Sequence, residues 1–226
     1  MSRDVDIEIP VGQGYIGGTL AVPNEAQSLV LLADGTGGAR LSARNQFVAE
    51  VMRRGGFGTL LMDLLTADEE RADQAIACFR FDCVLLAGRL VAATDWLAAE
   101  GFLPAHQLGY FGAGTGAAAA LLAASRRPAT VGAVVLLGGR PDLAAGAVTG
   151  VLAPSLLLVA EDDDSVLGLN HDACLALPAL HKDLRVIAGA SHLFEEPGAL
   201  DEVTDLSREW FEQFLLMPLG PRPTPA

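Results

Sequence analysis

Basic residues are scarce in this chain of 226 residues. Its 15 lysines and arginines face 28 aspartates and glutamates, which gives a formal net charge of -13 at pH 7. A surface with this excess of negative charge repels the phosphates of nucleic acids and the headgroups of anionic membranes. The composition therefore excludes nucleic acid and membranes as partners held by electrostatic attraction, and it predicts an acidic, soluble surface.

Cysteine and long apolar runs are also sparse. The three cysteines, Cys78, Cys83 and Cys174, lack the spacing of metal ligands, and an odd number is typical of reduced thiols in a cytosol. The first residues are acidic rather than apolar, and the apolar runs elsewhere are interrupted well short of a membrane span. We therefore expect a cytoplasmic protein, and no spacing indicates a metal or an organic cofactor.

Apolar residues nevertheless make up 51% of the chain, although only 6% are aromatic. This length and composition predict one well-buried core built from small and branched aliphatic side chains. We expect a single domain over residues 1–216. Residues 217–226 contain four prolines and are predicted to form a disordered tail.

The order of apolar patterns indicates the fold class. Val5 to Ile9 and Tyr15 to Val22 predict an antiparallel hairpin, and the acidic segment from Leu64 to Ala75 fits either a loop or a partial helix. After the hairpin, buried strands and amphipathic helices alternate. The predicted strands are 28–33, 59–62, 108–111, 131–137, 155–160 and 184–187, and the predicted helices are 42–54, 81–100, 117–125, 166–177 and 200–216. Alternation of this kind predicts an α/β fold with a mostly parallel sheet, helices on both faces and no large separate cap.

Functional loops of such a fold gather at the carboxyl ends of the strands. One of them runs from a strand into a helix through Gly112, Gly114 and Gly116. This is the setting of the G-x-S-x-G elbow, where a tight turn raises a serine hydroxyl above the sheet. Here the middle residue is Gly114, which has no side chain to attack with. Asp163 and His192 follow later strands in the order acid, then histidine, that the catalytic triads of this elbow use.

Four ordered motifs show a resemblance to a known family. They are Gly112-Ala-Gly-Thr-Gly-Ala-Ala-Ala-Ala120, Gly138-Gly-Arg-Pro-Asp-Leu143, Asp163-Asp-Ser-Val-Leu-Gly-Leu-Asn170 and Gly189-Ala-Ser-His-Leu-Phe-Glu-Glu-Pro-Gly198. In combination they resemble the dienelactone-hydrolase-like branch of the α/β-hydrolases, over roughly residues 15 to 215. The chain departs from the pattern twice, because Gly114 stands in place of the serine and Asp34 in place of a histidine ahead of the oxyanion loop.

The resemblance implies an α/β-hydrolase fold and a role for each candidate residue. Asp163 is expected to orient His192, which acts as general base and acid on a small carbonyl, ester or lactone-like substrate. The backbone N–H groups of Thr115 and of the Gly35-Thr36 loop are expected to stabilise negative charge on oxygen. The chemistry is either hydrolysis by water or isomerisation, cyclisation or elimination.

Asp34 and two arginines have open roles. Asp34 either takes part in the chemistry or braces its glycine-rich turn. Arg40 and Arg140 lie on loops at the same edge of the predicted sheet, where each either binds an anionic group or pairs with nearby carboxylates. The segments Leu64 to Arg80 and Gly139 to Leu152 are expected to form the walls of the pocket.

Other interpretations remain at this point. The run from Gly112 to Ala117 also satisfies the dinucleotide fingerprint G-x-G-x-x-A, although the next strand ends at Arg140 without the acidic residue that would hold a ribose. A protein that binds a ligand without catalysis, or an ordinary esterase carrying an engineered glycine, would also show Gly114. The sequence leaves monomer and homodimer open.

Overall fold

The computed structural model describes residues 4–35, 38–102 and 107–216. Thr36 and the proline-rich tail, residues 217–226, lie outside these ranges. The strands are β1 Val5–Val11, β2 Gly14–Ala21, β3 Leu29–Asp34, β4 Gly58–Met62, β5 Leu108–Ala113, β6 Val131–Leu137, β7 Ser155–Ala160 and β8 Lys182–Ile187. The helices are α1 Ala43–Arg54, α2 Ala67–Ile76, α3 Cys83–Ala99, α4 Thr115–Arg126, α5 Asp164–Ala176 and α6 Ala199–Phe211.

The eight strands form one sheet in the order β1-β2-β4-β3-β5-β6-β7-β8. Strands β1 and β2 pair antiparallel, as do β2 and β4, and every later pairing is parallel. The predicted fold class is confirmed, including the N-terminal hairpin. This strand order also differs from the 3-2-1-4-5-6 order of a dinucleotide-binding sheet. Within the described ranges, no helix is long and apolar enough to cross a bilayer.

The core lies on both faces of the sheet because successive side chains of a strand point to opposite faces. In β3, Leu31 joins the cluster beneath α3, α4 and α5, whereas Val30 and Leu32 join the cluster beneath α1 and α6. A strand buried on both faces reads as a continuous apolar run rather than an alternating one. This is why the parallel strands were recognisable in the sequence.

The acidic segment after β4 is where the local structure is more regular than the pattern indicated. Thr66 and Glu69 form a capping box in which each side chain binds the other residue's backbone N–H, and helix α2 follows. A short 3₁₀ turn, Phe79–Phe81, then precedes α3, whose cap is Asp82. The predicted helix from 81 to 100 is therefore the shorter α3. The closing helix likewise ends at Phe211 and continues as a π turn, Glu212–Leu216.

The turn between β5 and α4 depends on glycines for two different reasons. A Cβ atom at Gly116 would lie 2.3 Å from the carbonyl oxygen of Ala33, and one at Gly112 would lie 2.7 Å from that of Gly116. These two glycines allow the helix to approach the sheet closely. Gly114 has φ 56° and ψ -125°, a backbone conformation that other residues rarely adopt, yet no atom of the described chain lies within 4 Å of the position of a Cβ there.

Candidate active site

A cavity of about 740 Å³ opens at the carboxyl edge of the sheet. Its walls come from the loops that follow β3, β5, β6, β7 and β8, together with the 3₁₀ turn before α3. The predicted site residues that line it are Asp34, Gly35, Gly114, Thr115, Arg140, Asp163 and His192. Residues far apart in the chain therefore meet at this edge, as expected for a parallel sheet. No cluster of His, Cys, Asp and Glu side chains able to hold a metal ion occurs in the part of the chain described.

His192 and Asp163 form a hydrogen-bonded pair in this cavity. The imidazole Nδ1 lies 2.5 Å from the carboxylate Oδ2 of Asp163. The other carboxylate oxygen of Asp163 accepts hydrogen bonds from the backbone N–H of Val166 and the hydroxyl of Ser165, at 3.3 and 3.1 Å. Asp163 thus caps helix α5 with one carboxylate oxygen and orients the imidazole with the other. Together these contacts fix the direction of its carboxylate.

Two acidic neighbours of Asp163 make contacts of their own. Glu161 accepts a hydrogen bond of 2.7 Å from the backbone N–H of Gly189. The N–H of Asp162 donates to the carbonyl of Ala190 at 3.1 Å. Both contacts tie the loop after β7 to the loop after β8, and this tie brings Asp163 to His192.

The environment of Asp163 favours its ionised form. Burial raises the pKa of the carboxyl, but the hydrogen bonds from His192, Val166 and Ser165 outweigh that effect and lower the pKa below its ordinary value. An ionised carboxylate only accepts hydrogen bonds, so Nδ1 of His192 carries the proton in the neutral imidazole. The second ring nitrogen, Nε2, is then left as an acceptor. The side chain of His192 is 58% exposed, so this nitrogen is open to solvent and substrate.

Three side chains near the elbow could be considered as replacement nucleophiles. A Cβ at Gly35 would lie 1.6 Å from the hydroxyl oxygen of Thr115, so that hydroxyl is directed at the backbone of Gly35. Cys83 is buried with its Sγ 4.0 Å from the carbonyl of Thr115, and burial raises the pKa of its thiol. A thiol held in the protonated form is a poor nucleophile. Ser191, beside His192 in sequence, donates its backbone N–H to Glu196.

The carboxylate of Asp34 is braced. It is 5% exposed and accepts hydrogen bonds from Arg44 at 2.6 Å and from the side-chain amide of Asn45 at 3.2 Å. Both donors belong to the start of α1, and Asn45 also binds the carbonyl of Ala39. The guanidinium of Arg44 offsets the negative charge that Asp34 brings to the cavity. The N–H of Gly35 donates to the carbonyl of Ala113 at 3.4 Å and extends the strand pairing, so Gly35 is less suited to bind substrate than the sequence indicated.

The structure gives different roles to Arg40 and Arg140, whose roles the sequence left open. Arg40 donates to Asp63, Asp6 and Thr19, and it ties the N-terminal hairpin to the end of β4. It is absent from the described lining of the cavity, so its predicted role at the substrate is replaced by bracing. Arg140 does line the cavity. Its Nε and Nη2 atoms bind the carboxylate of Asp142 at 2.8 and 2.7 Å, and Nη1 makes no hydrogen bond with any described residue.

Arg80 and Phe81 also line the cavity, although the sequence placed Arg80 only at the end of a predicted wall segment and Phe81 only at the start of a predicted helix. Asp73 holds this turn in place through hydrogen bonds from the N–H groups of Phe79 and Arg80, at 2.7 and 3.0 Å, and an ion pair of 2.5 Å with the Arg80 guanidinium. The signal that could have found Arg80 is this pairing with a buried aspartate seven residues earlier. The pairing was hidden because α2 itself was not recognised as a helix.

The brace of Asp73 should be visible as pH-dependent stability. Burial raises the pKa of Asp73, but the hydrogen bonds from Arg80 and Phe79 lower it by more than burial raises it. The pKa in the folded protein therefore lies below the ordinary value of 3.8. The stabilisation is then complete above that ordinary value and disappears as the pH falls through the folded pKa. We expect Asp73→Asn to cost about 1.5–3 kcal/mol at pH 7. The difference from wild type should shrink below about pH 4 in thermal unfolding.

A control for this prediction comes from the same helix. Asp68 is exposed, with 86% of its side chain accessible, and Asp68→Asn should change the unfolding temperature by much less. A constant difference between wild type and Asp73→Asn from pH 7 to pH 3 would contradict the assignment.

Comparison with solved structures agrees with this architecture. The sheet order, the elbow and the placement of the cavity define an α/β-hydrolase fold. A dienelactone hydrolase from Anabaena variabilis superimposes with a TM-score of 0.89 and 48% sequence identity, over 95% of this chain and 99% of that one. The chain therefore belongs to the dienelactone hydrolase family. Est1E from Butyrivibrio proteoclasticus has the same fold, with a TM-score of 0.77 and 15% identity over 92% of this chain and 98% of that one.

A second relative has a different name. A protein of Mycobacterium tuberculosis, named provisionally as a phosphoribosyl transferase, is 45% identical over 219 residues, which are 97% of this chain and 48% of that protein. The chain thus spans about half the length of this relative. No family model matches the sequence.

Proposed function

We propose that this chain is a hydrolase that cleaves a small ester or lactone with a water molecule activated directly by His192. The observation that carries the proposal is the 2.5 Å bond between His192 and Asp163 beside a turn whose central residue, Gly114, has no hydroxyl and an open Cβ side. The dyad of acid and base is present, and the group that would form an acyl-enzyme is lacking.

The reaction follows from the protonation state of the dyad. Nε2 of His192 accepts a proton from water as the water oxygen bonds to the carbonyl carbon of the substrate. Negative charge then develops on the carbonyl oxygen, and we assign its binding to the N–H of Thr115, the first residue of helix α4. A second donor from the Gly35-Thr36 loop stays a prediction from the sequence. The imidazolium, stabilised by Asp163, returns the proton to the leaving alkoxide as the acyl–oxygen bond breaks.

The magnitude of general acid–base catalysis limits the substrate. It contributes roughly 10²–10⁴-fold in rate, which suits a reactive ester or strained lactone better than an amide. Arg80 and Arg140 line the same cavity and each has donors left to bind an anionic group of that substrate. The walls also include Phe81, Val166 and Leu169, which favour an apolar body.

Two features favour hydrolysis over the other reactions that the dyad permits. The side chain of His192 is 58% exposed, so water from the solvent reaches Nε2 directly. Solved structures with this fold include a dienelactone hydrolase and a carboxyl esterase by name. Isomerisation, cyclisation or elimination would instead benefit from a site that excludes water.

The name of the Mycobacterium tuberculosis relative suggests another function. That name belongs to a protein about twice as long as the matched region. We infer that phosphoribosyl transfer by such a protein rests on the half that this chain does not match, because this chain, which corresponds to the other half, has the hydrolase fold and the Asp163–His192 pair. Both activities in one longer protein are compatible with this division.

The experiment that tests direct attack by water uses an activated phenyl ester in rapid mixing. We expect phenol release to be linear from the start, because no covalent intermediate accumulates. The intact mass of the protein should remain unchanged after treatment with an activated phosphonate that labels nucleophilic serines. A burst of phenol together with a mass increase would show a covalent nucleophile and overturn the proposal.

A further inference from the structure

Asn170, on helix α5, connects to the elbow through two peptide groups. It is fully buried, and its side-chain Nδ2 donates to the carbonyls of Gly139 and Val166 at 2.9 and 2.8 Å. Its Oδ1 is buried and accepts no hydrogen bond from any described residue. An unpaired buried acceptor is unfavourable, and a leucine of similar size would avoid it. This points to the two donated bonds as what the asparagine contributes.

The bond to Gly139 is the start of a chain of hydrogen bonds. The carbonyl of Gly139 and the N–H of Arg140 belong to one planar peptide group and point in opposite directions. That N–H donates to the carbonyl of Gly114 at 3.2 Å, and the N–H of Ala117 donates to the same oxygen at 3.2 Å. The next peptide group contains the carbonyl of Gly114 and the N–H of Thr115, again in opposite directions. Fixing the Gly114 oxygen therefore fixes the direction of the Thr115 N–H.

The loop after β6, which contains the Gly139–Arg140 peptide, is packed too tightly against helix α4 to adopt another backbone conformation. A Cβ at Gly139 would lie 2.4 Å from the Cβ of Ala117, and Gly138 has φ +52°. A Cβ at Gly138 would lie 4.0 Å from Cε1 of His192. The same loop thus lies against both the elbow helix and the imidazole.

We propose that Asn170 is a positioning residue that orients and polarises the Thr115 N–H through the Gly139–Arg140 peptide, so that this N–H binds the oxyanion of the reaction. Hydrogen bonds in such a chain strengthen one another, because each donation makes the next N–H of the chain a better donor. The inference rests on the proposed function, which supplies the oxyanion. Asn170 itself touches no reacting atom.

The test uses two variants that remove the bond to Gly139 in different ways. Asn170→Leu has a similar size and removes both donors. Asn170→Ser keeps a donor for Val166 only, since a serine hydroxyl in a helix reaches the carbonyl four residues earlier, as Ser207 does to Val203 in α6. Asn170→Ser therefore separates the effect of the bond to the loop from that of the bond within the helix. It also tests the proposal if the Asn170→Leu variant does not fold.

The readout is the binding of two ligands, measured by calorimetry. Methyl benzylphosphonate carries the tetrahedral charge of an oxyanion, whereas N-methylphenylacetamide is planar and neutral. In both Asn170 variants we expect phosphonate affinity to fall roughly tenfold, less than the loss of a direct oxyanion donor. Amide affinity should stay unchanged. On the ester substrate, kcat should fall about tenfold with KM nearly constant, since the lost interaction is made only in the transition state.

A matched control separates this effect from a general loss of stability. The hydroxyl of buried Thr94 donates to the carbonyl of Leu90 within α3 and also bonds to the hydroxyl of Tyr110, so Thr94→Val removes two buried hydrogen bonds, as Asn170→Leu does. Thr94→Val should leave the ratio of the two affinities unchanged. Equal phosphonate binding by wild type and both Asn170 variants would overturn the positioning role alone. Wild-type protein that binds the phosphonate no more tightly than the amide would instead contradict the proposed function.

Discussion

His192→Ala should lower kcat for a small activated ester by about 10²–10⁴-fold, the contribution expected of a general base and acid. In the proposed mechanism no covalent nucleophile acts beside the dyad, so removal of the imidazole leaves only substrate binding and the Thr115 N–H. Initial rates at saturating ester concentration measure the effect. KM should change little, because the imidazole acts on the water rather than on the bound ester.

A second histidine provides the control for this prediction. The side chain of His171 is 61% exposed, close to the 58% of His192, and lies 3.7 Å from the carboxylate of Asp172. His171→Ala should therefore keep the full rate. Turnover of the ester that survives His192→Ala at the wild-type rate would show that the dyad does not drive the reaction.

Asp163→Asn tests the same dyad from the other side. The amide of an asparagine can donate to Nδ1 of His192, which would place the ring proton on Nε2 and remove the base. The fold and the cap of α5 should survive, because the asparagine oxygen still accepts from the N–H of Val166. A rate loss of the same order as in His192→Ala is expected, and a wild-type rate would show that Asp163 does not set the proton position.

Gly114→Ser should introduce the covalent step that the proposed mechanism lacks. The open space around the Cβ position receives the side chain, and the turn would present its hydroxyl above the sheet. With an activated phenyl ester we expect a burst of about one equivalent of phenol per protein, followed by steady turnover. An activated phosphonate should now add to the protein, which intact mass spectrometry detects.

The serine variant also carries a conformational cost. At φ 56° and ψ -125° a residue with a side chain is strained, and strain of this kind costs about 1–3 kcal/mol. Gly114→Ala has the same strain without the hydroxyl, so it is the matched control for both stability and activity. If the serine variant is folded but forms no adduct, the imidazole is not aimed at residue 114, and the proposed geometry of the dyad is wrong.

The fold and the dyad could be predicted because their signals are local. Continuous apolar runs mark strands buried on both faces, as in β3, and the ends of parallel strands share one edge of the sheet. Asp163 and His192 follow β7 and β8 within a few residues. Their meeting also required that β7 and β8 be neighbours in the sheet, as the structure shows them to be.

Other parts of the site depend on contacts that no local pattern reports. From the sequence, Arg40 was as good a candidate for binding substrate as Arg140. Its pairing with Asp63, at the end of β4, instead makes Arg40 a structural brace. Arg80 reaches the cavity because Asp73 holds its turn, and that contact needs α2 to be in place. Asn170 is the last residue of one of the four motifs, but no role could be predicted for it, because its partner Gly139 is 31 residues away in the chain.

The residue types alone determined that this turn has no hydroxyl at position 114, that the sheet is mostly parallel, and that an acid and a histidine follow its last strands. Tertiary structure brought Asp163 against the imidazole, paired Asp34 with Arg44, and decided which arginines face the cavity. The division has a physical reason. Periodicity and turn chemistry act between neighbours in the chain, whereas the direction of a side chain in a loop is set by hydrogen-bond partners that folding brings from elsewhere.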